Sequence, residues 1–168
     1  WLGKTPFRAS PVDNINCHIS FAFSFCTMLV YINISMIKNI TAKECLKALK
    51  ENNNAKLIDV RTPIEWENDG YADLTSINKE VNLISWTNTD GTYNEKFFIN
   101  IKNLNIEKDD MLFIVCRSGV RSAHAVNYLN DNFVSKNIFN LEGGMEFGWK
   151  ISHLPIKKIK SMNKFYNY

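Results

Sequence analysis

Hydrophobic residues in this chain form short continuous runs that alternate with segments of helical periodicity. The run Met111–Val115 is rich in β-branched and aromatic residues, as in a buried strand, and Ala123, Val126 and Leu129 then recur at helical spacing. The same alternation predicts strands at 56–60, 81–86, 111–115 and 137–141, and helices at 63–68, 94–103, 121–131 and 145–151. Such alternation favours an α/β domain with a mainly parallel central sheet and helices on both faces.

Two helix starts are marked by capping boxes. Thr41 is followed three residues later by Glu44, and Thr62 is followed in the same way by Glu65. In this motif the Thr and Glu side chains satisfy backbone N–H groups that have no partner within the helix. Pro63 then occupies the first helical position after Thr62, where its missing N–H has no cost. We therefore expect helices to begin directly after both threonines.

Composition indicates one domain of ordinary size. The chain has 168 residues, of which 45% are hydrophobic and 22% charged, and its net charge of +3 is slight. The charges are interspersed, so no nucleic-acid partner is expected. No two of the four cysteines have zinc-ligand spacing and the three histidines are scattered, so no metal site is predicted. A reactive thiol needs reducing surroundings, which favours a cytoplasmic location.

The ends of the chain differ from its middle. No charged residue occurs between Asp13 and Lys38, and residues 19–37 are mostly apolar over the length of a membrane-spanning helix. Three interpretations of residues 1–37 are open: an upstream extension foreign to the native protein, a membrane anchor, or an uncleaved export signal. A membrane partner and a membrane-anchored location are expected only if 19–37 is a genuine anchor. Residues 157–168 are interpreted as a basic, solvated tail.

The motif that carries chemistry is a loop between a predicted strand and a predicted helix, Cys116-Arg117-Ser118-Gly119-Val120-Arg121. In such a turn backbone N–H groups converge and the helix macrodipole adds positive charge, so the anionic form of a thiol is favoured. The alternative is an inert buried cysteine, but two flanking arginines are poor neighbours for an apolar thiol. The spacing is Cys-x4-Arg, one residue shorter than the Cys-x5-Arg loop of cysteine phosphatases. The smaller cradle suits one transferable atom on sulfur better than a phosphoryl group.

Three motifs in this order resemble single-domain rhodaneses, a family of sulfurtransferases. They are the Cys116 loop, the segment Leu57-Ile58-Asp59-Val60-Arg61 with Thr62–Trp66, and the closing segment Leu141-Glu142-Gly143-Gly144 with Trp149 and Pro155. The resemblance implies a rhodanese-like domain at 38–156. The chain departs from the family pattern at three places. Gly70-Tyr71-Ala72 stands where many relatives have Gly-His-Ile, Asn132 precedes Phe133 where relatives have Gly before an aromatic, and the stretch from Gly144 to Trp149 is one residue longer.

The resemblance implies double displacement through a persulfide on Cys116. The thiolate would take a sulfane sulfur from thiosulfate or a persulfide donor and pass it to cyanide or a thiol, with a sulfur-carrier protein as a further candidate partner. No cofactor is required. The predicted substrate-binding residues are Arg117, Ser118, Gly119, Val120 and Arg121. Their amides would stabilise the anionic persulfide and the Arg117 fork would bind the sulfonate of the donor, whereas Arg121 either braces the loop or contacts substrate.

Asp59 and Arg61 are predicted to support the site, because the resemblance places them beside the loop. A carboxylate and a guanidinium two residues apart at a strand end also commonly form a purely structural pair. Two rival functions are open for the chain. A non-catalytic rhodanese-like binding module would ordinarily lack the nucleophile, and a phosphatase or arsenate reductase would need the longer loop.

Overall fold

The computed structural model describes residues 37–133 and 135–158. Apart from Ile37, the predicted hydrophobic segment lies outside this range, as do residues 159–168 of the predicted tail. The elements follow in the order β1 (Lys38–Ile40), α1 (Ala42–Glu51), β2 (Ala55–Asp59), α2 (Pro63–Asp69), β3 (Tyr71–Ala72), a 3-10 turn (Thr75–Ile77), β4 (Val81–Leu83), α3 (Phe97–Lys102), β5 (Met111–Val115), α4 (Val120–Asn132), β6 (Asn137–Leu141), a π-helix (Gly144–Lys150) and β7 (Ile156–Lys157). Within 37–133 and 135–158, no helix is long and apolar enough to cross a bilayer.

Five strands form one parallel sheet in the order β1-β6-β5-β2-β4. β3 and β7 pair separately and antiparallel. In the main sheet Asp59, the last residue of β2, lies opposite Val115, the last residue of β5. The carboxyl ends of parallel strands meet at one edge, so Cys116 and the residues after Asp59 are brought together there. The predicted mainly parallel sheet is confirmed.

Helices cover both faces of this sheet, as predicted. On one face α3 and α4 pack on Ile58, Leu112 and Ile114, and on the other α1 and the π-helix pack on Leu57, Phe113 and Val115. Successive residues of β5 therefore serve opposite clusters, which explains why this strand is apolar without interruption. Each fully buried side chain of this size contributes about 2 kcal/mol of hydrophobic stabilisation.

Most predicted elements are present, including both capped helices, and two boundaries differ by three residues. The predicted strand at 81–86 ends at Leu83, although the extended chain beyond it still donates to β2 from the N–H of Ile84. The predicted helix from Asn94 begins only at Phe97. The Asn94 side chain instead accepts a hydrogen bond from the Lys96 N–H and donates one to the Ser85 carbonyl, which fixes a turn before the helix.

The predicted helix at 145–151 is a π-helix over Gly144–Lys150. A π-helix places more residues in each turn than an α-helix, and single π turns accommodate one inserted residue. A wider turn of this kind would accommodate the additional residue that the resemblance implies between Gly144 and Trp149. Trp149 itself is buried in the core.

Candidate active site

The sulfur of Cys116 lies at the bottom of the active-site loop, which we define as residues Cys116–Arg121. The residue is 1% exposed, and its Sγ accepts hydrogen bonds from the Gly119 N–H at 3.1 Å and from the Ser122 hydroxyl at 3.3 Å. Gly119 has φ of 97°, a left-handed conformation that turns its N–H back towards the sulfur at little cost for glycine. Two hydrogen-bond donors, one from the backbone and one from a side chain, are therefore aimed at this sulfur atom.

The carbonyl groups of the loop point away from the sulfur because the π-helix holds them. The Cys116 carbonyl accepts from the Met145 N–H at 2.8 Å, and the Arg117 carbonyl accepts from the Glu146 N–H at 2.9 Å. Gly144 makes this approach feasible, since a Cβ atom there would lie 2.4 Å from the Cys116 carbonyl oxygen. The first turn of the π-helix therefore fixes these two carbonyl groups of the loop, while the Gly119 N–H donates to the sulfur.

Arg121 forms a two-point ion pair with Glu65 of α2. Its two terminal nitrogens lie 2.7 and 2.6 Å from the carboxylate oxygens, and the same carboxylate accepts from the N–H and the hydroxyl of Thr62. Partial burial works against ionisation of Glu65, but the hydrogen bonds from Arg121 and Thr62 and the charge of Arg121 outweigh it and lower its pKa to about 2. The pair ties the end of the loop to the start of α2.

The same contacts define the environment of the Arg121 guanidinium. The hydrogen bond to Glu65 raises the pKa of Arg121 despite its partial burial, and the negative charges of Glu65, Cys116 and Asp59 act in the same direction. The sequence left two roles open for Arg121, and the structure shows the contacts of the bracing role. Both terminal nitrogens donate to Glu65. A substrate contact by Arg121 stays a prediction.

Asp59 and Arg61 form the buried pair that their spacing predicted. Both side chains are at most 1% exposed, and the Arg61 guanidinium reaches both Asp59 oxygens, the shortest distance being 2.7 Å. The guanidinium also donates to the Gly70 carbonyl at 2.7 Å. The pair therefore joins the end of β2 to the turn after α2, beside the active-site loop but with its polar groups directed at each other and at backbone.

Exposed side chains surround the buried sulfur. Arg117 and Ser118 are exposed, and Val120 is 62% exposed. The hydrogen bond from Lys150 lowers the pKa of Glu146, and the positive charges of Arg117 and Arg61 add to this effect. The Arg117 side chain is therefore on the solvent side of the loop.

The second described cysteine has a different environment. Cys45 lies in the core on α1 with no exposed surface, and burial raises the pKa of its thiol because the charged form loses its hydration. Cys45 is therefore a core residue. Among the described residues, no three His, Cys, Asp or Glu side chains are close enough together to hold a metal ion.

Two residues of the site were not identified from the sequence as contacts of the loop. Glu65 was recognised only as part of a capping box, and Ser122 was not assigned a role. Ser122 could have been found, because a hydroxyl in the first turn of a helix can reach back to the preceding turn. The partner of Arg121 could not have been found in this way, because Glu65 lies 56 residues away in the sequence. Two other carboxylates also follow Glu65 on the same helix.

The chain is similar to known proteins over most of its described length. The rhodanese-like domain model matches residues 41–151. An uncharacterized protein of Rickettsia prowazekii is 37% identical over 125 residues, which cover 71% of this chain and 97% of that protein. The crystal structure of Rv0390 from M. tuberculosis matches with a TM-score of 0.66 and 28% identity, covering 73% of this chain and 98% of that one. The solution structure of a polysulfide-sulfur transferase homodimer from Wolinella succinogenes has a TM-score of 0.61 and 23% identity, with 90% and 100% covered.

Proposed function

The chain belongs to the rhodanese-like domain family, and from this premise we propose that it is a sulfurtransferase that carries a sulfane sulfur on Cys116. The observation that carries the proposal is the pair of donors on Sγ, the Gly119 N–H and the Ser122 hydroxyl. Hydrogen-bond donors of this kind stabilise a negative charge on sulfur, and the thiolate is the nucleophilic form of cysteine. The fold of this chain also supports sulfur transfer in the Wolinella succinogenes protein.

The reaction consists of two displacements at sulfur. First the Cys116 thiolate attacks the outer sulfur of thiosulfate; a new sulfur–sulfur bond forms, the bond to the sulfonate breaks, and sulfite leaves with the electron pair. The product is an anionic persulfide, which carries the same charge as the thiolate from which it forms. In the second displacement a thiolate or cyanide attacks the outer sulfur of the persulfide, and Cys116 is released as a thiolate. No cofactor enters either step.

The loop residues have distinct roles in this proposal. The amides of residues 117–121 stabilise the persulfide anion in the way an oxyanion hole stabilises oxygen. Arg117, which is exposed at the mouth, binds the sulfonate of the donor through its planar fork. Arg121, with Glu65, holds the loop in shape. Asp59 and Arg61 support the floor of the site from β2.

The dimensions of the loop favour sulfur over phosphate. Arg121 lies one residue closer to Cys116 along the chain than the arginine of a Cys-x5-Arg loop does. The ion pair with Glu65 holds its side chain in this position. A ring of amides closed by five residues encloses a smaller anion than a tetrahedral phosphoryl group. We therefore expect no hydrolysis of an aryl phosphate above the level of a Cys116→Ser variant.

Mass spectrometry after incubation with thiosulfate tests the proposal directly. We expect about 32 mass units, the mass of one sulfur atom, to be added to the peptide that contains Cys116 and to be absent in Cys116→Ser. Cys45→Ser is the matched control, because it also removes one buried cysteine but should leave the addition unchanged. Sulfur on Cys45, or no sulfur on a folded wild-type protein, would overturn the proposal and favour a non-catalytic binding module.

The proposed partners follow from the same chemistry. They are a small sulfur-donor anion and a thiol or cyanide acceptor, and a sulfur-carrier protein could occupy either position in the cycle. A protein that must keep a free reactive thiol works under reducing conditions, so we place it in a cytosol-like compartment. Cell fractionation with an antibody to the chain tests that placement, and recovery from a membrane fraction would support the anchor interpretation of residues 19–37.

A further inference from the structure

We propose that Ser122 is a second catalytic residue, whose hydroxyl stabilises Cys116 Sγ when this atom leaves as a thiolate in the second displacement. The inference rests on the proposed sulfur transfer and adds to it a group that acts on one half of the cycle. Its basis is the contact between the Ser122 hydroxyl and the reacting sulfur, 3.3 Å long and closed off from solvent.

The position of Ser122 on its helix is otherwise apolar. The buried side of α4 consists of Ser122, Ala125, Val126 and Leu129, which recur at helical spacing and face the sheet. Ser122 is the one polar member of this row, and it has no exposed surface. A hydroxyl buried without a partner costs about 1–3 kcal/mol, so alanine would serve better there if only packing mattered. Among the described residues, the hydrogen bond of this hydroxyl is the one to Cys116 Sγ.

The two displacements respond to this hydrogen bond in opposite directions. In the first, Sγ is the nucleophile; the bond keeps it ionised but withdraws electron density from it. In the second, Sγ is the leaving group: the acceptor thiolate forms a bond to the outer sulfur of the persulfide anion, the bond between that sulfur and Sγ breaks, and Sγ departs with the electron pair. The products are a thiolate on Cys116 and a persulfide on the acceptor. A hydroxyl that donates to Sγ stabilises this departing charge.

Ser122→Ala removes the donor while keeping the fold of the helix. We measure the rate of alkylation of Cys116 by iodoacetamide against pH, which reports the ionised fraction of the thiol. In Ser122→Ala the midpoint of this profile should move up, because the charged sulfur loses one hydrogen-bond donor. The control is Ser135→Ala, which also loses a buried serine hydrogen bond, to the Asp110 carbonyl at 2.8 Å, but lies at the other end of the sheet. Its midpoint should equal that of the wild type.

The kinetic readout separates the two displacements. Loading is followed with excess thiosulfate at a pH above both midpoints, and discharge is followed by mixing the preloaded persulfide with 2-mercaptoethanol. In Ser122→Ala discharge should slow by about two- to tenfold and loading should not slow, because loss of one hydrogen bond makes Sγ a poorer leaving group but not a poorer nucleophile. A role of Ser122 in packing alone would slow both steps together or neither.

Each result assigns the failure to one idea. An unchanged alkylation midpoint in folded Ser122→Ala, or equal slowing of both displacements, overturns the role of Ser122 even if the wild type transfers sulfur. Absence of sulfur loading in the wild type refutes the proposed function instead. If Ser122→Ala does not fold, the comparison is made between Ser122→Thr and Ser122→Val, which have the same shape and differ by the hydroxyl. Threonine should then retain the faster discharge, and equal discharge rates in the two variants would overturn the proposal.

Discussion

Replacement of Glu65 by glutamine should destabilise the protein at neutral pH and lose its effect in acid. Glutamine preserves the size of the side chain and can still accept a hydrogen bond from Thr62, so the helix cap is largely kept. It cannot receive both terminal nitrogens of Arg121, because its amide group is itself a donor. The variant therefore isolates the ion pair between α2 and the active-site loop.

The magnitude follows from the pKa of Glu65, which falls from 4.5 to about 2 in the folded protein. A shift of this size corresponds to about 3 kcal/mol for a fully buried group. The side chains of Arg121 and Glu65 are 29% and 21% exposed, so solvent screens the pair and we expect about 1–2 kcal/mol. Because the folded-state pKa is the lower one, this stabilisation is complete above about pH 4.5 and disappears as the pH falls towards 2.

The assay is urea unfolding of the wild type and Glu65→Gln between pH 7 and pH 2.5. The gap in the free energy of unfolding should be constant down to about pH 5 and then close. Glu44→Gln is the matched control, since Glu44 caps α1 through Thr41 in the same way and forms no ion pair in the described part of the chain. The difference in the free energy of unfolding between the wild type and Glu44→Gln at pH 7 should be smaller than that for Glu65→Gln. A gap for Glu65→Gln that is as large at pH 2.5 as at pH 7 would refute the ion-pair reasoning.

Three further predictions concern the active-site loop. Gly144→Ala should lower the free energy of unfolding by about 3 kcal/mol and reduce sulfur loading, because φ is +59° and the new Cβ would meet the Cys116 carbonyl. The control is Gly91→Ala, at φ +86° with open space around it. In the same denaturation assay it should lower the free energy of unfolding by about 1 kcal/mol and leave loading intact. Arg117→Lys should raise the KM for thiosulfate more than it lowers kcat, through the loss of about 1–3 kcal/mol of charge-assisted hydrogen bonding, and an unchanged KM would show that the side chain does not bind the donor. Insertion of one glycine after Gly119 should lower sulfur transfer and raise vanadate affinity in a protein that circular dichroism shows to be folded; unchanged selectivity would contradict the loop-size argument.

Local patterns in the sequence were sufficient for the parts of this protein that depend on near neighbours. The apolar run Met111–Val115, the capping boxes at Thr41 and Thr62 and the turn that begins at Cys116 are all specified within a few residues, and the structure confirms each element. Their alternation also predicted the parallel sheet with helices on both faces. Local propensity and periodicity determine these features because the interactions concerned span one turn or one strand.

Contacts between distant segments were decided by packing alone. Strand β1 is only three residues long and exists through pairing with β6, about 100 residues later, so no local signal predicted it. Three contacts depend likewise on how the helices pack on the sheet. They are the ion pair of Arg121, the hydrogen bonds from the π-helix to the loop carbonyls, and the contact between Ser122 and the sulfur. The sequence thus determined which atom is the candidate nucleophile, and the tertiary structure determined the environment of that atom. Distances across a packed core follow from the volumes of all the side chains in it, and no spacing along the chain encodes them.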